Sequence, residues 1–478
     1  MTSSSAATEA ADAIVVGSGP NGMAAAVTLA RAGLRVHVIE GADTPGGGCR
    51  TEELTLPGFR HDVCSAVHPL AGASPFFAST DLAARGVRLL TPKVAFAHPL
   101  DGGRAAAVAG SVLQTAEELG PDGAAYRRAF EPVVRDMSLT LPTILGPLRS
   151  VPRHPLAMAR YGLPGLLPAS ALARRFRGQE AKVLVAGTAA HAMLPLTAPL
   201  TSAFAALFLM TAHTVGWPVA EGGSARIIDA LAGELESLGG QVETGRWVRS
   251  LDSLPPARAV LLDVTPRQLA AIAGGSIPGW QGRALARFRY GPGVCKVDWA
   301  LSGPVPWEAG TVHLGGTLAE VARSEAEVNK GQHPERPYCL VAQPGVVDPT
   351  RAPAGRHTLW GYCHVPSGSD VDMSGRVEAQ IERFAPGFRD LILARSVRTA
   401  AAMERYNPNY VGGDINSGAE TLLQTFFRPT PRWNPYRTPL PGVYLCGAST
   451  APGGGVHGMC GDGAARAALA DLGVKAPR

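Results

Sequence analysis

The 478-residue chain is short of charge: Asp, Glu, Lys and Arg make up 17% of it, against 46% hydrophobic residues. Such a composition excludes disorder as the main state. Its seven cysteines, at 49, 64, 295, 339, 363, 446 and 460, include no Cys-x-x-Cys pair and no zinc-ligand spacing. That excludes a metal finger and a closely paired redox dithiol, and suits free buried thiols in a reducing compartment. No dense basic run exists. The net charge of +5 is dispersed, with Arg174, Arg175 and Arg177 the tightest group, so nucleic acid is not an expected partner. A long apolar run is missing too. The nearest, Thr197–Val219, is broken by Pro199, His213 and Pro218 and reads as a core or substrate-channel helix, not a membrane span. The first twelve residues, MTSSSAATEAAD, lack the basic and apolar regions of a secretory leader. A cytoplasmic protein is expected, with at most a peripheral touch on a membrane.

Glycine, by contrast, is plentiful, at 57 residues. Ala13–Val16 is a short apolar strand pattern ending in Gly17-Ser18-Gly19-Pro20-Asn21-Gly22. An alanine-rich helix follows over Met23–Ala32, then Gly33 as its cap and a second strand, Arg35–Ile39, ending in Glu40. This is the complete βαβ dinucleotide fingerprint, not a bare glycine pattern. Gly17 permits the turn, Gly19 lets backbone approach a pyrophosphate, and Gly22 lets helix and strand pack closely. Ser18, Pro20 and Asn21 complete a loop whose helix N-terminus offers N–H groups and a positive dipole end to phosphate. Glu40 is placed to accept hydrogen bonds from an adenosine ribose.

Directly after that strand stands Pro45-Gly46-Gly47-Gly48-Cys49-Arg50-Thr51. Glu40 followed by Gly47-Gly48-x-Arg50-Thr51 resembles the extended FAD motif of the amine oxidase and phytoene desaturase superfamily. The resemblance implies FAD as cofactor, with Gly47 and Gly48 beside its pyrophosphate and Arg50 close by. Near the other end, Gly442–Gly447 reads as a turn and a buried strand, followed by the glycine-rich stretch to Gly458 and a helix from about Gly461 to Leu472. Gly453-x-Gly455-x-x-Gly458 has the form of a dinucleotide loop, but no βαβ unit follows it. The segment instead resembles the C-terminal FAD segment of phytoene dehydrogenase-like proteins, which implies that Gly447, Gly455, Val456, His457 and Gly458 meet the flavin end. Asp462 would bond the ribityl chain or cap the helix. Glu221–Ser224, the helical Ala225–Leu238 and a strand over Gln241–Leu251 resemble the family's return from its substrate domain, with backbone near Val248 lining the adenine.

The expected fold is α/β: a Rossmann-like FAD-binding domain assembled from 1–74, 218–282 and 438–478, with an α+β substrate domain. Within the latter, 75–217 reads as a mostly helical lid and 283–437 as an antiparallel sheet. Its strands read as Gly293–Leu301, Tyr338–Ala342 and Thr358–His364, with a covering helix over Arg376–Phe384. Phe204, Leu207, Phe208 and Leu209 would wall a pocket for a greasy substrate or simply fill the core.

The resemblance implies dehydrogenation by hydride transfer to flavin N5, leaving a new double bond. It places Ser65 against FAD and His68 towards substrate. His68 and His457 would each hydrogen-bond structurally or move a proton. Lys296 would sit near flavin N5, as lysines do in amine oxidases, or face solvent. No metal site is expected. With no second nucleotide fingerprint, electrons would leave to oxygen, a quinone or another acceptor. The leading expectation is an FAD-dependent dehydrogenase or desaturase of a lipophilic or natural-product small molecule. The alternatives are a flavin amine oxidase, a non-redox isomerase using reduced FAD, and a flavin-containing scaffold.

Overall fold

The computed structural model describes residues 11–477, so the leader expectation for residues 1–12 falls almost wholly outside the described residues. Five parallel strands form one sheet, in the order Val443–Leu445, Ala259–Leu262, Ala13–Val16, Val36–Ile39 and Gln241–Glu243. Ala13–Val16 is buried throughout, as expected of a central parallel strand with both faces covered. The helix Pro20–Arg31 packs on this sheet against Met459–Asp471. A Cβ on Gly461 would strike the Asn21 carbonyl. The two helices therefore meet backbone to backbone, which fixes the loop before Met459 beside the loop Gly17–Gly22.

The second sheet has seven strands, in the order Ile392–Arg398, Gly293–Leu301, His357–Val365, Cys339–Ala342, Thr311–Leu314, Val94–Leu100 and Arg104–Ala109. All neighbours are antiparallel except Thr311–Leu314 and Val94–Leu100. One face packs on the helix Ser374–Phe384 through Val297, Trp299, Val377 and Ile381. The other meets the helical layer and the cavity.

Two sequence expectations differ from this architecture. The lid segment is not helical over Val94–Leu100 and Arg104–Ala109: these strands join the second sheet. Phe96, His98 and Leu100 are buried with a period of two, and Gly102 and Gly103, both at positive φ, make the tight hairpin turn between them. The strand expected over Gln241–Leu251 stops at Glu243, and the chain leaves the sheet before Val248. The apolar run near 200 holds a helix only over Thr201–Ala212, and among the described residues no helix is long and apolar enough to cross a membrane.

Candidate active site

Between the two sheets lies a cavity of about 530 Å3, a size typical of small-molecule sites. One end is polar and glycine-rich, lined by Gly17, Ser18, Gly19, Pro20, Asn21, Glu40, Gly47, Gly48, Arg50 and Val248. Midway it passes Ser65, His68, Gly447, Gly455, Val456 and His457. The far end is an aliphatic and aromatic chamber walled by Ile144, Leu145, Met158, Phe204, Leu207 and Phe208. Leu209 instead faces the core.

The polar end sits where strands of the parallel sheet terminate, the general ligand position of such sheets. Glu40 is held there by the amide and hydroxyl of Ser18 (2.9 and 2.5 Å) and the amide of Ala42 (2.9 Å), with an Arg50 Nη2 at 3.4 Å. Arg50 also donates to the Thr44 carbonyl and to the Tyr406 hydroxyl. A Cβ on Gly22 would strike the Gly17 carbonyl, so Gly22 works in packing and does not border the cavity.

In the middle section, the amides of residues 454–457 donate to no protein acceptor among the described residues. All four residues line the cavity, and unspent donors on such a wall call for an acceptor-rich ligand. The pyrimidine edge of a flavin supplies such acceptors, and reduction concentrates negative charge there. Together with the phosphate loop and Arg50 at the other end, this donor set fits FAD.

Among the titratable residues, His68 Nε2 donates to Ser224 Oγ (2.8 Å), because that hydroxyl gives its proton to the Ser65 carbonyl (2.5 Å). His68 Nδ1 is then a bare acceptor with no partner, and burial pushes the imidazole down to about 4. The proton-moving role weighed for His457 is not supported. Its Nε2 donates to the Gly453 carbonyl and its Nδ1 accepts the Met459 amide, so both nitrogens are engaged and the ring clamps the loop.

Lys296 is neither at the cavity wall nor in solvent. It is buried, donates to Asp298, and lies 5.8 Å from the centroid of Trp360, which does line the cavity. Burial pulls the ammonium down and pushes Asp298 up to about 6.

Three further expectations are corrected by position. Thr51 Oγ1 donates to Asp62 and accepts from the Ala225 amide, tying two chain segments together behind the cavity. Asp462 neither lines the cavity nor caps its helix: it accepts from Thr28 and Arg466, one turn along. Gly458 starts that helix at positive φ, its Cα facing the Phe76 ring.

Several cavity residues carried no mark in the sequence. Asp263, at the end of Ala259–Leu262, accepts the Gly22 amide (3.0 Å), and burial pushes its carboxyl up to about 7. Its place at the C-terminal end of a parallel strand was the available signal. His191, Trp217 and Tyr362 line the chamber. His191 Nε2 lies 3.1 Å from His313 Nε2, behind the wall, and burial pushes His191 down to about 3.

Known proteins share these features. A family model described as an NAD(P)-binding Rossmann-like domain matches residues 15–79. A rat pyridine nucleotide-disulfide oxidoreductase domain-containing protein 2 is 25% identical, over 96% of this chain and 94% of its own. In this chain all seven cysteines are buried and free. A lycopene-forming phytoene desaturase of a Paracoccus species is 24% identical, over 96% of this chain and 97% of its own. A solved putrescine oxidase variant superposes with a TM-score of 0.62 at 18% identity, over 97% of this chain and 98% of its own. The chain is similar along its whole length to a phytoene desaturase and in fold to an amine oxidase, and with the nucleotide-binding match these likenesses support a member of the phytoene desaturase and amine oxidase superfamily with FAD as its cofactor.

Proposed function

We propose that the protein dehydrogenates a lipophilic small molecule, introducing a double bond. The carrying observation is the cavity's composition: its flavin section opens directly into a chamber of aliphatic and aromatic side chains. An amine substrate would need an anionic partner there. The carboxylates bordering the cavity are Glu40 and Asp263 at the nucleotide end, and Glu420, which Arg428 already neutralises at 2.8 Å. Burying an ammonium without a counter-charge costs several kcal/mol, so the chamber favours an uncharged ligand.

FAD supplies, when bound, a two-electron acceptor for hydride. One substrate carbon would give up its hydrogen with the bonding electron pair, the adjacent carbon would give up a proton, and the electrons of that second C–H bond would close the double bond. The chain's part is to hold the reacting carbons against the loop Gly454–His457, to exclude water with the leucine-rich walls, and to receive the proton. His68 borders the site, and its Nδ1 is buried without a hydrogen-bond partner among the described residues. A nitrogen so hard to protonate holds a proton only in passing, which suits transfer and not a resting charge. Oxygen, a quinone or another acceptor would take the electrons onward.

The test is anaerobic mixing of FAD-loaded protein with polyenes, other apolar natural products and amines. Bleaching of the flavin absorbance by the apolar compounds supports the reading. Bleaching by amines alone overturns it in favour of an amine oxidase, and turnover without net use of an acceptor would mark an isomerase.

A further inference from the structure

Among the aliphatic and aromatic walls of the chamber stands an imidazole. His191 packs against Phe208 and Trp217, at centroid separations of 4.5 and 5.5 Å. In such surroundings a ring nitrogen is costly unless it finds a partner. His191 Nε2 has one, His313 Nε2 at 3.1 Å. Its Nδ1 has none among the described residues, yet is not shut in by protein, so it opens on the chamber.

What that open nitrogen offers is set by two histidines behind it. The adjacent strands Thr311–Leu314 and Val94–Leu100 bring His313 and His98 together, with ring centroids 6.5 Å apart. Both side chains are fully buried, and each leaves its Nδ1 without a partner. The helix Gln179–Ala189 covers them at Gly187. A Cβ there would stand 2.9 Å from His313 Nδ1 and 3.0 Å from His98 Nδ1. The two nitrogens thus converge on one point that the missing side chain leaves free.

Burial holds all three rings neutral, and a neutral imidazole has one donor and one acceptor. His98 Nε2 meets the Gly316 carbonyl at 2.8 Å. A carbonyl only accepts, so His98 carries its proton there and its Nδ1 is bare. A second lone pair aimed at that bare nitrogen would be repelled, so the His313 proton sits on Nδ1. His313 Nε2 is then the acceptor, and His191 Nε2 donates to it. That leaves His191 Nδ1 as a bare acceptor in the chamber.

We propose that the substrate is a lipophilic alcohol whose hydroxyl donates a hydrogen bond to His191 Nδ1. An ether or ketone of the same skeleton offers acceptors alone, and would set two lone pairs against each other in apolar surroundings. The inference rests on the chamber being the substrate's site, as proposed above, and not on which bond is oxidised.

The experiment titrates oxidised, FAD-loaded protein with decanol, decyl methyl ether and methyl octyl ketone, read from the perturbation of the flavin spectrum. The alcohol should bind about tenfold tighter than either competitor, the worth of one good neutral hydrogen bond. In His191→Gln, whose amide reaches the place of Nε2 and keeps a partner for His313, that preference should vanish. In His191→Asn, whose amide oxygen takes the place of Nδ1, part of it should return. Nitrogen NMR of isotope-labelled histidines in the native protein should show His191 protonated on Nε2 and bare on Nδ1, its signals assigned by their loss in His191→Gln. Equal affinities for the three probes, a preference for the ketone, or a protonated Nδ1 on His191 would overturn the proposal while leaving an apolar-ligand chamber in place. No response to any of the three probes would overturn the chamber's role, and the proposal with it.

Discussion

Replacing Asp263 by asparagine should free cofactor binding from pH. The Asp263 carboxyl borders the cavity where the nucleotide's phosphates belong, and accepts the Gly22 amide at 3.0 Å. Burial raises it from 3.8 to about 7. Because the folded value lies above the unfolded one, its proton stabilises the fold fully below about pH 4, and that stability is lost as pH rises towards 7. The ceiling on this loss is about 4 kcal/mol, lowered by screening at the cavity edge. An asparagine side chain would keep an acceptor for Gly22 and stay neutral throughout. An ionised Asp263 also repels a diphosphate, so FAD binding should favour its protonated form. In fluorescence titrations of apoprotein, native affinity should therefore fall between about pH 6 and 8.5, by at most tenfold per unit, while the Asp263→Asn curve stays flatter. Glu40 is common to both proteins and cancels. Parallel curves, or a steeper one for Asp263→Asn, would refute the reasoning.

Gly461→Ala should destabilise the apoprotein despite alanine's better helix propensity, because its Cβ meets the Asn21 carbonyl across two rigid helices; a loss of about 1–3 kcal/mol in urea unfolding is expected. Arg351→Met strips buried Asp62 and Asp348 of a partner at 2.8 Å from each and should cost about 3–5 kcal/mol by the same measurement. Burial opposes the Asp62 charge, but Arg351 holds the carboxyl below its usual range, so this contribution in the native protein is present above about pH 4 and lost as acid protonates it. His68→Gln should retain FAD yet slow flavin reduction by the cognate substrate about a hundredfold or more in stopped-flow; an unchanged rate would leave His68 a structural tie to Ser224.

The nucleotide end was legible because its constraints are local. Gly17, Gly19 and Gly22 are required by backbone geometry within six residues, and Glu40 by the end of the next strand. Asp263 was not, since its role exists only once Ala259–Leu262 lies beside Ala13–Val16. Lys296 shows a different limit. The period of a strand puts it on one face with Asp298, and the two do pair, but periodicity does not say which covered face adjoins the cavity. For Asp462 the i,i+4 spacing to Arg466 was the better guide, as such pairs form within the helix itself. The strands at 94–109 were hidden by alanine and Pro99, which weaken both a helical and a strand reading; the Asp101-Gly102-Gly103 turn was the signal.

The order of the parallel sheet has a consequence for synthesis. Its central strand, Ala13–Val16, is among the first parts of the described chain to be made, while Val443–Leu445 and the loop Gly447–His457 come last. At ribosomal speeds roughly 20–90 s separate them. Through that interval the nucleotide loop lacks the helix that seats it, and for the last roughly 9–36 s of it Ala259–Leu262 stands as an open parallel edge. A nascent chain of this kind needs shelter from edge pairing, and cellular FAD supply should govern how much of it survives to maturity.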